Sequence, residues 1–104
     1  MRGINGALCL ILLCQNAWAQ DRFANADISY GEYLAGECVT CHRQTDDTQG
    51  IPSILGLDRE AFYFIINAYK TGEIEHPVMH MIAKRLDDEQ IASLAIYYES
   101  IKPD

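Results

Sequence analysis

The stretch Cys38-Val39-Thr40-Cys41-His42 constrains this chain more than any other part of it. Two cysteines at positions i and i+3 fall on one side of a helical turn, and a histidine follows at once. Four chemistries use cysteines at this spacing: a redox dithiol, half of a structural zinc site, a local disulfide, and the covalent attachment of a haem. Each demands a different fold around it.

The chain has 104 residues, a one-domain length. Its first stretch reads as a removable leader. Arg2 supplies a positive start, an apolar run spans Ala7 to Leu13, and Ala17-Trp18-Ala19 is an A-x-A cleavage pattern. The expected organisation is a signal peptide over 1–19, cut after Ala19, and one domain over 20–104. The apolar run is far shorter than the ~20 residues of a membrane-spanning helix. A lipoprotein reading would make Cys14 an anchor, but Leu13 stands where a small residue is expected. Cys9 and Cys14 leave with the leader, so Cys38 and Cys41 become the whole cysteine inventory. The formal charge of −7 becomes −8 without Arg2. An acidic exported domain is a poor fit to nucleic acid or anionic membrane and suits a partner with a basic docking patch.

The remaining chain reads as all-α. A first helix begins at Ile28 and stops near the cysteine motif, with Ile28, Leu34, Cys38 and Cys41 on one face. Gln44 to Gly50 is a polar loop, and Pro52 bars a central strand from the apolar loop after it. Asp58 caps a second helix that runs to about Lys70, with Phe62, Ile65, Ile66 and Tyr69 as its stripe and Gly72 as its stop. Glu73 to Val78 is loop, broken at Pro77, and Met79 to Leu86 forms a short helical turn. Asp87 and Gln90 form a capping box for a last helix, which carries Ile91, Leu94, Ala95, Tyr98 and Ile101 on one face. No segment alternates with period two.

This pattern sorts the four chemistries. A thioredoxin-like dithiol belongs in a βαβ context. Structural zinc takes four ligands, and beyond the motif only the distant His76 and His80 remain. A Cys38–Cys41 disulfide closes a tiny loop and stabilises little. Covalent haem fits: the two thiols reach the two vinyl groups, and His42 is carried under the iron as an axial ligand. A haem also gives a small domain with a marginal core a large apolar object to pack around. The other axial position has four candidates, His76, Met79, His80 and Met81. Ordinary readings place His76 in a solvated loop, His80 on the surface and Met81 in core packing. Spacing alone prefers Met79 only mildly.

With these residues in view the chain resembles the class I c-type cytochromes. More narrowly, it resembles the single-haem cytochrome subunit of flavocytochrome c sulfide dehydrogenase and the related halves of cytochrome c4. The similarity runs from about Ser29 to Ser100. Its carriers are GEYLAGECVTCH (31–42), GIPSILG (50–56), AYKTGE (68–73) and VMHMIAKRLDDEQIASLAIYY (78–98). The resemblance implies a small fold of three main helices plus short turns around one haem c. It implies thioethers at Cys38 and Cys41, iron ligation by His42 and Met79, and a Pro52 carbonyl that accepts a hydrogen bond from His42. It further implies that Gly31 and Tyr97 meet where the first and last helices cross. Asp87 departs from the serine that often caps the last helix in that group, and either residue caps.

The function implied is periplasmic electron transfer, with sulfur chemistry left to a flavoprotein partner. A free carrier cytochrome is the alternative. A haem enzyme or gas sensor would need an open sixth position.

Overall fold

The computed structural model describes residues 21–43 and 50–103. The expected leader, with Cys9, Cys14 and the cleavage after Ala19, lies outside them, as does most of the loop from Gln44 to Gly50. A 3-10 turn at Asp21–Phe23 precedes four α-helices: α1 (Ile28–Leu34), α2 (Arg59–Thr71), α3 (Pro77–Ala83) and α4 (Asp88–Ser100). The described residues contain no strand. Helix α4 packs against α1, α2 and the 3-10 turn, and α2 also packs against α3.

Helix α4 is the centre of the core. It starts as its sequence directs: Asp87 accepts from the Gln90 amide at 2.8 Å, and the Gln90 side chain accepts from the Asp87 amide at 2.9 Å. Ile91, Leu94, Ala95 and Tyr98 are buried on its inner face. Ala92 and Ser93 are buried as well, because α1 covers a second side. The Tyr98 ring stacks on Phe62 of α2, centroids 5.6 Å apart. Each ring of such a pair contributes roughly 1.5–3 kcal/mol by burial alone.

Helix α1 approaches α4 by means of small residues. A Cβ placed on Gly31 would stand 2.1 Å from the Ser93 carbonyl oxygen and 2.8 Å from Tyr97 Cβ. The implied meeting of Gly31 and Tyr97 is therefore present, with Ser93 closer still. The Ser93 hydroxyl accepts from the Asp27 amide at 3.1 Å, while the Asp27 carboxylate caps α1 at Tyr30. The face expected of α1 is corrected here. Ile28 is half exposed and Cys41 is exposed, because the inward positions belong to Gly31 and Ala35.

Helix α2 matches its reading at both ends. Asp58 accepts from the Ala61 amide, and Gly72 closes the helix in the left-handed region at φ 82°. Glu99 of α4 adds a second cap by accepting from the Arg59 amide at 2.7 Å and from Arg59 Nε at 2.8 Å. These contacts hold the guanidinium-paired Glu99 carboxyl below its ordinary pKa.

Helix α3 starts earlier than the sequence suggests. His76 is its N-cap, with Nδ1 accepting from the Met79 amide at 3.1 Å, and Pro77 is its first residue. Proline breaks a helix interior but suits the first position, where its missing N–H is not needed.

Candidate functional site

The cysteine motif forms hydrogen-bonded turns that continue from α1. Cys38 N–H and Val39 N–H donate to the Ala35 carbonyl, and His42 N–H donates to the Cys38 carbonyl at 2.8 Å. The last of these is one helical turn, so the three site side chains hang from a single short segment. Cys38 and Cys41 share no disulfide, and Cys38 is half-buried while Cys41 is exposed. Burial pushes the Cys38 thiol above its ordinary pKa. The hydroxyl of the fully buried Tyr98 lies beside that thiol and completes no well-aligned hydrogen bond with the described residues. Burial likewise raises the Tyr98 pKa, so the ring stays a neutral phenol.

His42 Nδ1 lies 2.8 Å from the Pro52 carbonyl oxygen. A carbonyl only accepts, so Nδ1 carries a proton and Nε2 is the nitrogen left to face a ligand. The Pro52 loop is tied to the end of α4, because the Gly56 amide donates to the Tyr98 carbonyl at 2.9 Å. Gly56 is needed there. Its φ is +72°, and a Cβ on it would stand 2.9 Å from the Pro103 ring.

Between these pieces lies an apolar cavity of about 270 Å³. Cys38 and His42 line one side, Pro52 and Ile54 another, and α2 contributes Phe62, Ile65, Ile66 and Tyr69. The whole stripe read on α2 thus serves the cavity, although only Phe62 and Ile66 are buried. Met79 is half-buried and packs against the core cluster from α3, the helix seated on α2. Met81 is 59% exposed, which corrects the expectation that it fills the core. His76 spends the lone pair of Nδ1 on capping. His80 is half-buried, with Nδ1 2.8 Å from the Tyr69 carbonyl oxygen, rather than free on the surface. Sequence reasoning missed both histidine bonds, since histidine is not among the residues that signal an N-cap.

The donor set suits a flat apolar cofactor held covalently. It pairs two cysteines on one turn with a histidine that lines an apolar cavity together with Cys38. No group of three or more histidines, cysteines or acids able to hold a metal ion occurs among the described residues.

No family model matches the chain. It is 35% identical over 81 residues to cytochrome c-554(548) of Halomonas halodenitrificans, an alignment that covers 71% of this chain and 95% of that protein. The chain is a c-type cytochrome. Its helical architecture is that of a small cytochrome c, and its cofactor is covalently bound haem c. Its role is that of an electron-transfer protein. Among the described residues no helix of this cytochrome is long and apolar enough to cross a membrane.

Proposed function

We propose that this cytochrome is a periplasmic single-haem electron carrier in which Cys38 and Cys41 form the thioethers and His42 and Met79 are the axial ligands. The observation that carries this reading is the His42–Pro52 hydrogen bond beside the cavity that Cys38 also lines. Bound iron supplies one-electron redox chemistry. The chain supplies the rest. Pro52 fixes the imidazole tautomer and ring orientation, which tunes the ligand. Phe62, Ile65 and Ile66 form an apolar wall, and a soft thioether at Met79 favours ferrous iron and raises the potential. The half-buried position of Met79 against the core, with Met81 turned to solvent, supports Met79 as the sixth ligand.

In this reading the domain spans 20–104 and residues 1–19 direct export. The chemistry of an acidic carrier calls for a redox protein with a basic docking patch. The narrower assignment, as the cytochrome subunit of a flavocytochrome c sulfide dehydrogenase, rests on the sequence pieces at 31–42, 50–56, 68–73 and 78–98. In that arrangement a flavoprotein subunit oxidises sulfide and this chain accepts the electrons.

Purification of the untagged protein from its native source tests the partner. Co-elution with a flavin-containing chain is the expected result for the subunit assignment, and a lone haem protein leaves the free-carrier assignment. N-terminal sequencing of the same material tests export, with Gln20 as the expected first residue.

A further inference from the structure

Helix α3 carries two methionines, Met79 and Met81, separated by about 200° around its axis at 100° per residue. They face nearly opposite ways, and only one can face the core. Met79 is half-buried there, while Met81 and Val78 are 59% and 57% exposed. On helical propensity and composition the segment Pro77-Val78-Met79-His80-Met81 gives no strong reason for that choice. Its apolar residues are spread around the helix, and seven residues make a short element.

We infer that His80 is a positioning residue that sets the rotation of α3 and so selects Met79 over Met81 as the methionine offered to the iron. The inference rests on the proposed ligation by methionine. Its basis is the half-buried hydrogen bond from His80 Nδ1–H to the Tyr69 carbonyl at 2.8 Å. Tyr69 stands in the last turn of α2, where its carbonyl accepts from the capping Gly72 amide at 3.3 Å and has a second lone pair for His80. The next residue of α2 makes the second tie: Lys70 Nζ donates to the Leu86 carbonyl at 2.6 Å, just beyond the end of α3. The Tyr69 ring also meets the His76 ring edge-on, centroids 5.8 Å apart. Consecutive residues of α2 therefore hold the start, the middle and the exit of the ligand-bearing segment. Of these ties, only the His80 bond comes from within α3 itself and opposes its rotation directly.

Proton NMR of the ferrous holoprotein tests this, because a methionine bound to haem iron gives a strongly upfield-shifted methyl resonance. Wild type is expected to show one such signal, lost in Met79→Ala. Absence of that signal from wild type would defeat the ligation reading itself, separately from the role of His80. His80→Ala is expected to show a second methyl signal, which disappears when Met81→Leu is added. In the same variant, imidazole should bind the ferric protein about fivefold faster, the factor set by one net hydrogen bond. His80→Asn places an amide N–H where Nδ1–H stood and should restore the single signal. His80→Leu fills the space without a donor, and serves in place of alanine if that variant does not fold. A single upfield Met79 signal, unchanged from wild type, and an unchanged imidazole rate in His80→Ala or His80→Leu overturn the inference.

Discussion

The imidazole of His42 is held by a backbone carbonyl, that of Pro52, at 2.8 Å. Because the acceptor is main chain, no side-chain substitution at position 52 deletes it. What a substitution changes is how firmly it is held. Pro52→Gly frees the backbone on both sides of the carbonyl and should lower stability by about 1 kcal/mol. A looser acceptor polarises the imidazole less, so the reduction potential of the variant should rise. Equilibrium urea unfolding and a redox titration of the same sample check the two effects together.

The choice of sixth ligand is open to a paired substitution. Met79→Ala should open the iron to added imidazole or cyanide, lower the potential and abolish the long-wavelength charge-transfer band of methionine-ligated ferric haem. Met81→Ala, at an exposed position, should leave all three unchanged and shift stability by no more than about 0.5 kcal/mol. Equal behaviour of the two variants would remove Met79 from the site.

The crossing of α1 and α4 is intolerant of a single added carbon. Gly31→Ala gains up to about 1 kcal/mol of helix propensity. It also drives a methyl group to within 2.1 Å of the Ser93 carbonyl oxygen, an atom that moves only with its helix. The net result should be a loss of about 1–3 kcal/mol, seen as a lower urea midpoint at unchanged slope.

Acid should weaken the junction of α2 and α4. The Glu99 carboxyl is held below its ordinary pKa by the Arg59 amide and guanidinium. A carboxyl with a lower pKa in the folded state stabilises the fold above its unfolded pKa, and that stabilisation fades as pH falls through the folded value. Glu99→Gln should therefore be less stable than wild type at neutral pH, by about 0.5–1 kcal/mol for so exposed a pair. The difference should vanish in strong acid. Urea midpoints of both proteins across the acid range provide the measurement.

Much of this arrangement is legible in the residues. Both ends of α2 and the start of α4 follow from Asp58, Gly72, Asp87 and Gln90, because caps act on the nearest few amides and carbonyls. The stripe of Phe62, Ile65, Ile66 and Tyr69 is a simple helical period, and it lines the cavity. The turn that carries Cys38, Cys41 and His42 is local for the same reason. What escapes a linear reading depends on partners distant in sequence or on uncommon roles. Glu99 capping Arg59 spans forty residues. The Pro52 loop hangs on the carbonyl of Tyr98, which no side-chain pattern announces. His76 as a cap, and Pro77 as a helix start rather than a break, moved the beginning of α3. Met81 looked like core because methionine usually is, and only the rotation of α3 turns it outward.

The bond from the Gly56 amide to the Tyr98 carbonyl has a consequence for the order of assembly. A ribosome makes the cysteine motif early and the residues that position its histidine's acceptor last. Until α4 is complete, the loop bearing Pro52 has nowhere to fasten, and Gly31 has no Ser93 to meet. A nascent chain that already displays both thiols therefore cannot yet hold its histidine in place. Thioether formation is possible on such a chain, but a fixed ligand geometry belongs only to the finished one. Under the proposed ligation, loss of the final helix would leave a coloured protein in which His42 has lost the anchored Pro52 carbonyl.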